Sequence, residues 1–364
     1  MTAAGSLESC LAPSFLPTTA VLEMTYRCNH TCLFCSCPWE NPDGRFARGT
    51  EMSTAEWKET IAQLCTMGVT NLAFTGGEPL LRDDLLDIMA FAAGCETEHI
   101  ETQDEKLVHR RTPPQLFLLS NGRLLDDAVL DFCHRYSIQL SLSLPGLEKF
   151  PRLTGGFDPD HVLEQFARAQ RKQVKTVVGI TVTKWNLPEL YETISAAFLA
   201  GADQLLLNRF LPGGRGLAHA AELALTMDET RQMATVAEEA LTDAGRYGSI
   251  GTELPKCLLQ PAQFQRLTIG TRCAAAQSFF AISPAGFVRV CNHSPVQLNH
   301  VRDIAAVKTH PYWKKFALKD YLPAPCAGCR ECGDCDAGCR EVAHITAGAP
   351  DALEPGLMVQ PFAG

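Results

Sequence analysis

Between residues 18 and 211, short apolar runs alternate with stretches whose apolar positions recur at helical spacing. Residues 21–24 read as a strand, and so do residues 69–74, 116–119, 138–142, 176–182 and 204–207. Helical period fills the gaps between them. Ser53 and Glu56 stand three apart, as in a capping box, just ahead of Trp57, Ile61 and Leu64 at i, i+4 and i+7. Residues 85–92, 127–136, 161–170 and 188–200 continue the series, with Pro188 suited to a first helical turn and Gly201 to the residue past a helix end. Strands alternating with helices require a parallel sheet with right-handed crossovers. Six such units predict an α/β fold, a partial (β/α)6 barrel of the TIM type.

Two stretches break this rhythm. Residues 95–114 carry a charged run from Glu96 to Arg111 closed by Pro113 and Pro114, which predicts an exposed insertion, with His109, Arg110 and Arg111 in a solvated loop. After Leu211, the run Pro212-Gly213-Gly214-Arg215-Gly216 marks a loop. A helix over 228–244 follows, with Met233, Val236 and Leu241 on its apolar side. Beyond it the pattern changes to short strands and loops studded with Cys. The expected layout is an N-terminal extension at 1–17, a barrel at 18–250, a small Cys-rich domain at 251–345 and a tail at 346–364. With about 17 residues ahead of the barrel, no further N-terminal domain is expected.

Composition narrows the function classes. A chain of 364 residues, 46% hydrophobic and 20% charged, is an ordinary globular protein with room for two domains. Its net charge of −9 argues against a nucleic-acid partner held through phosphates. Residues 1–26 contain no Lys or Arg, so the charged region of a secretory signal is missing, and no apolar run has the length of a membrane span. The expected location is the cytoplasm, where thiols stay reduced, so 16 Cys imply metal binding rather than disulfides. Eight of them lie within residues 257–339.

The most telling group is Cys28, Cys32 and Cys35, a C-x3-C-x2-C triplet after the first strand, with Phe34 before the last Cys. Three thiolates leave one metal position open, which suits a catalytic site, because structural sites are closed. Zinc knuckles also use C-x2-C pairs and remain a rival. One strand later comes Gly76-Gly77-Glu78-Pro79, where paired glycines allow close backbone approach and the carboxylate can accept hydrogen bonds from an ammonium.

Together these motifs resemble the radical S-adenosylmethionine (SAM) superfamily. The resemblance implies that a 4Fe–4S cluster on Cys28, Cys32 and Cys35 binds SAM, and that its reductive cleavage yields a 5′-deoxyadenosyl radical for hydrogen abstraction from a substrate. It further implies SAM contacts from Gly76, Gly77, Glu78 and Pro79 and from strand ends, namely Ser120, Asn121, Ser143, Thr183 and Asn186. Arg152 is expected at the SAM carboxylate, with Arg209 competing for that role. Ordinary turn chemistry accounts for the same strand-end residues.

The C-terminal third resembles the SPASM extension of this superfamily. Cys273 is followed after twelve residues by Gly286 and after four more by Cys291, then by Cys326-x2-Cys329-x5-Cys335-x3-Cys339. Residues 279–282 and 287–290 alternate around Pro284-Ala285-Gly286, which predicts a hairpin bringing Cys273 and Cys291 together. Two auxiliary iron–sulfur clusters are implied, one on Cys273, Cys291 and Cys339 and one on Cys326, Cys329 and Cys335. The family's usual further Cys is missing after Cys339, so Cys257 is expected as the fourth ligand of the first cluster, and the second is expected to take Cys332 as its fourth or to keep an open iron. Cys329, Cys332, Cys335 and Cys339 also have the bacterial ferredoxin spacing, without its following Pro, and a zinc ribbon remains a rival. Cys10, Cys65, Cys95 and Cys133 are not expected as ligands, nor is Cys37.

SPASM resemblance implies a peptide or protein substrate, an external reductant such as flavodoxin or ferredoxin, and a separate leader-peptide-binding protein if a leader is recognised. Alternatives are small-molecule chemistry of the haem-biosynthetic kind and, in another class, a non-enzymatic electron carrier or zinc scaffold. Asp203, Glu253 and His293 lie near site edges but read as structural or exposed residues, so no acid–base residue is assigned.

Overall fold

The computed structural model describes residues 16–44, 46–103 and 106–356. Cys10, most of the expected N-terminal extension and the last eight residues of the expected tail lie outside them.

The first strand, β1 (Thr19–Glu23), leads into the Cys-bearing loop. α1 (Thr54–Thr66) starts at the capping box read from the sequence, since Ser53 accepts from Glu56 N and Glu56 accepts from Ser53 N. Its stripe of Trp57, Ile61 and Leu64 is fully buried. Then follow β2 (Asn71–Thr75), α2 (Leu85–Ala93), β3 (Thr97–Gln103), β4 (Lys106–Thr112), β5 (Gln115–Ser120), α3 (Asp127–Arg135) and β6 (Gln139–Ser143). After a short α4 (Phe150–Thr154), the alternation resumes with α5 (Pro159–Arg171), β7 (Thr176–Val182), α6 (Leu190–Leu199) and β8 (Gln204–Arg209). Gly201 takes φ +111 just beyond α6, the left-handed stop its position predicts.

β1, β2, β5, β6, β7 and β8 form the expected run of parallel strands, in the order β8-β7-β6-β5-β2-β1. Their side chains divide by parity. Leu72 and Phe74, Leu116 and Leu118, Leu140 and Leu142, Val178 and Ile180, and Leu205 and Leu207 are buried in the main apolar core. The alternate positions point the other way, and their last members, Thr75, Leu119, Ser143, Thr181 and Asn208, share one cavity.

After α7 (Ala220–Leu223) and α8 (Met227–Asp243), the sheet gains β9 (Gly248–Ile250) and β10 (Leu267–Ile269), both parallel, beyond β8. At the opposite end β11 (Phe279–Ile282) pairs in parallel with β1 and turns back into β12 (Val288–Arg289), forming the hairpin expected around Gly286. Glu23 of β1 and Arg289 of β12, both buried, form an ion pair that fastens this hairpin to the barrel. One ten-stranded sheet therefore takes strands from both sides of residue 250. α9 (Pro311–Ala317) and α10 (Arg340–Ala347) follow.

Residues 97–112 form a separate antiparallel pair, β3 with β4. His109, Arg110 and Arg111 are exposed, as expected, but they lie on strand β4 instead of in a loop. Opposed charges explain the difference. Glu98 sits across from Arg111 and pairs with it, so polar cross-strand contacts replace an apolar face. No helix among the described residues is long and apolar enough to cross a membrane.

Candidate functional site

The inward strand ends open on a cavity of about 370 Å³, in the size range of ligand pockets. It lies at the C-terminal edge of the parallel strands, where α/β sheets assemble their sites. Cys28, Cys32 and Cys35 form part of its wall, with Gly77, Glu78, Ser120, Asn121 and Ser143 of the residues expected to bind SAM. Gly76, Pro79, Thr183 and Arg152 are not in the wall.

Each of these positions has a local cause. Gly77 N–H donates to Thr25 O at 2.8 Å and Glu78 N–H to Arg27 O at 2.8 Å, so the glycine turn is zipped onto the start of the Cys loop. A Cβ on Gly77 would sit 2.1 Å from the Arg27 carbonyl oxygen. The close approach that requires glycine here is to the protein's own backbone. Glu78 is buried, and its carboxylate accepts from Ser120 Oγ at 2.9 Å, Asn121 N at 2.8 Å and Leu80 N at 3.2 Å. Burial still raises its pKa above the usual carboxylate range, against the pull of those donors. Asn121 Nδ2 in turn donates to Asn29 Oδ1 at 2.7 Å, inside the Cys loop.

The loop after β8 supports the triplet from the other side. Gly216 N–H donates to Cys35 O at 2.9 Å and Arg215 Nη1 to Cys32 O at 3.2 Å. Gly214, at φ +49, packs so closely that a Cβ would meet Cys37 O at 2.4 Å. Cys37, not expected as a ligand, hydrogen-bonds the Cys35 thiol and thereby helps hold Cys35 below the usual thiol range. Burial pushes Cys28 up to about 11 and Cys32 higher still. Such thiols become thiolates when a cation takes the proton's place, so the donor set fits a metal cluster.

The remaining expected residues have other work. Thr183 is fully buried and donates its N–H and hydroxyl to Asn186 Oδ1, while Asn186 Nδ2 reaches Pro145 O at 3.0 Å and Thr181 O at 2.9 Å. These two shape the loop and leave Thr181 facing the cavity. Arg152 is exposed, its guanidinium 3.6 Å over the Trp185 ring. Arg209 lies in the cavity wall and makes a buried bidentate pair with Glu354, at 2.6 and 2.9 Å, and Glu354 also accepts from Cys339 N at 2.7 Å. A residue near the C-terminus thus joins the barrel to a C-terminal thiol.

The last third of the chain also contributes to the wall, through Gly251, Thr252, Asn292 and His293. Arg209 Nε, Thr252 Oγ1 and His293 Nδ1 are buried without a hydrogen-bond partner, the condition of groups that await a ligand. His293 Nε2 lies 3.1 Å from Pro212 O, and a carbonyl only accepts, so Nε2 carries the proton and Nδ1 offers a lone pair. Burial lowers the His293 pKa to about 4, which keeps the ring neutral. Asn208, Thr181 and Thr252 were not singled out from the sequence. The inward parity of β7 and β8 was the available signal for the first two.

The C-terminal thiols fall into two groups. Cys273 is within electrostatic reach of Cys339 and Cys291, and burial pushes its thiol well up. Cys326 is within reach of Cys335, Cys329 and Cys332, and Cys257 belongs with this second group, being within reach of Cys335, Cys326 and Cys329. The expected place of Cys257 was beside Cys273. Cys332 is exposed, and Cys65 and Cys133 are buried within the helical layer. Among the described residues, no three His, Cys, Asp or Glu side chains converge as a seat for a single metal ion.

Residues 22–197 match the model of the radical SAM superfamily. The PqqA peptide cyclase of Rhodopseudomonas palustris is 26% identical over 360 residues, spanning 95% of this chain and 88% of that protein. The PqqA peptide cyclase of Xanthomonas campestris pv. campestris is 26% identical over 359 residues, 93% of this chain and 86% of its own length. Among solved structures, Streptococcus suis SuiB bound to S-adenosylmethionine superposes with a TM-score of 0.69 at 16% identity, covering 94% of this chain and 77% of that one. Native anSMEcpe with bound AdoMet gives 0.68 at 16% identity and covers 94% of both chains, so both structures share the fold. Residues 22–197 are thus a radical SAM domain, the domain of enzymes that bind a 4Fe–4S cluster and S-adenosylmethionine.

Proposed function

We propose that this chain is a peptide-modifying radical SAM maturase that abstracts a hydrogen atom from a side chain of a peptide or protein substrate. When bound on Cys28, Cys32 and Cys35, the cluster with SAM supplies the 5′-deoxyadenosyl radical for that abstraction. The protein's own part is positioning and exclusion of water. The Glu78 network holds the glycine turn and the Cys loop in one register, Ser143, Thr181 and Asn208 offer polar contacts from the strand ends, and the two C-terminal thiol groups serve as auxiliary iron–sulfur sites. We assign SAM contacts to Gly77, Glu78, Ser120, Asn121 and Ser143, and substrate contacts to Arg209, Thr252 and His293. The enzyme would work in the cytoplasm with flavodoxin or ferredoxin as reductant, and with a separate leader-binding protein where the substrate carries a leader.

The observation that carries this reading is a single cavity lined both by the Cys triplet and by Arg209, Thr252 and His293, each of which has a buried polar atom without a partner. The near full-length likeness to PqqA peptide cyclases supports a peptide as the substrate. The test is anaerobic reconstitution with iron and sulfide, followed by dithionite and SAM. The expected products are 5′-deoxyadenosine and, with a small peptide encoded beside the gene, a mass loss of two hydrogens. No 5′-deoxyadenosine from a fully loaded chain refutes the radical chemistry, and 5′-deoxyadenosine with every such peptide unchanged refutes the peptide assignment.

A further inference from the structure

A cation from the loop after β8 is built against the backbone of the Cys triplet. Arg215 donates through Nη1 to Cys32 O at 3.2 Å and pairs through Nη2 with the Glu40 carboxylate. Glu40 lies in the turn just past the triplet, its N–H donating to Cys37 O at 2.9 Å, and Arg48 donates to its other carboxylate oxygen at 2.9 Å. The guanidinium thus bridges Cys32 and Glu40, with the positive member of the pair touching the triplet's own backbone. Its neighbours fix it there. Gly216 N–H donates to Cys35 O at 2.9 Å, and Gly214 packs so tightly that a Cβ would meet Cys35 O at 2.7 Å and Cys37 O at 2.4 Å. Arg215 is within electrostatic reach of Cys28, Cys32 and Cys35 alike, and at Cys35, where Glu40 also acts, the cation's effect is the larger.

The reduction potential of an iron–sulfur cluster follows the charge and hydrogen bonds around it. Adding an electron to a cluster on three thiolates increases a negative charge, so a fixed cation nearby favours the reduced form and a fixed anion opposes it. We propose that Arg215 is a positioning residue that raises the reduction potential of the cluster seated on Cys28, Cys32 and Cys35, and that Glu40 limits that rise while keeping the guanidinium on Cys32 O. This rests on the reading of the triplet as the cluster's seat. The side chains of Arg215 and Glu40 are only 29% and 22% exposed, so water and salt screen the pair incompletely. Arg48, at 51% exposure, is the more screened partner of the same carboxylate. Arg215 is not in the cavity wall, so it acts on the triplet and not on a ligand held there.

The test is an anaerobic redox titration of the reconstituted full chain, read by EPR. The cluster on the triplet is identified as the reduced-state signal that changes when SAM is added. Arg215→Met removes the charge but keeps a long side chain and both glycine contacts. It should lower the midpoint of that signal, with a several-fold smaller reduced fraction at a fixed ambient potential and iron content unchanged. Arg215→Lys restores the charge and should return the midpoint towards wild type. Glu40→Gln should raise the midpoint, and the double variant should lie between the two single ones. With iron intact, a midpoint that does not fall in Arg215→Met would overturn the proposal. If Arg215→Met takes up no iron, Glu40→Gln decides, since a raised midpoint supports the tuning role and an unchanged or lowered one refutes it. A wild-type chain that melts normally yet shows no signal responsive to SAM would instead remove the cluster reading of the triplet, and this inference with it.

Discussion

Gly77→Ala should disable the site through a clash with the protein's own backbone. The added methyl would sit 2.1 Å from Arg27 O, 2.6 Å from Arg27 C and 3.1 Å from Tyr26 O, where Cβ contacts below 3.0 Å essentially never occur. Backbone must therefore move by roughly 1 Å, which takes the bonds from Gly77 N to Thr25 O and from Glu78 N to Arg27 O, both 2.8 Å, out of hydrogen-bond range. At about 1 kcal/mol net for each bond, with more for the disturbed Glu78 carboxylate, the cost is about 2–4 kcal/mol. The displaced carbonyl belongs to the residue before Cys28, so the same movement shifts a thiol of the triplet. Urea denaturation, iron content and 5′-deoxyadenosine formation read the three consequences. Gly270→Ala is the control, because a Cβ there meets nothing within 4 Å. Wild-type stability and SAM cleavage in Gly77→Ala would refute the reasoning.

Three other perturbations test separate parts of the structure. Arg209→Ala leaves the buried Glu354 carboxylate unpaired and should cost about 3–5 kcal/mol in urea, whereas replacing both partners by apolar residues should cost clearly less; equal losses would contradict the pairing. Asp84, held by Arg82 and Thr54, has its pKa lowered to about 2, chiefly by the Arg82 hydrogen bonds. A lowered carboxylate pKa adds stability that is present above the unfolded value near 4 and lost as pH falls through about 2. The stability gap between wild type and Asp84→Asn should therefore be full at pH 7 and shrink towards pH 2, as thermal melts of the metal-free chain would record. Ser143→Ala removes an exposed hydroxyl from the cavity wall, so it should raise the KM for SAM several-fold while leaving the melting temperature unchanged.

Much of this architecture was legible in the sequence because its causes are local. The capping box at Ser53 and Glu56, the apolar runs of β7 and β8 and the Pro-Ala-Gly turn between β11 and β12 each act through neighbouring residues. What escaped depends on partners far along the chain. Glu354 meets Arg209 across 145 residues, and Arg289 meets Glu23 across 266. β3 and β4 were hidden for another reason, since charged pairs such as Glu98 with Arg111 stabilise them and leave no apolar alternation to read. His293 reads as structural in the sequence because a lone histidine in a loop has no periodic signature, and only the folded chain brings it into the cavity wall.

The parallel pairing of β1 with β11 also sets the timing of assembly. Thr19 is matched with Phe279 and Leu22 with Ile282, so until residues near 280 have been synthesised β1 is an open edge beside β2. At about 5–20 residues per second, that leaves one edge of the strand leading to the Cys triplet unpaired for roughly 13–50 seconds on the ribosome. During that interval the nascent chain carries an open strand edge beside three thiols not yet enclosed by the C-terminal third. Yield in the cell should accordingly depend on how promptly the C-terminal third emerges, and slow codons ahead of β11 should send more of the protein into aggregates.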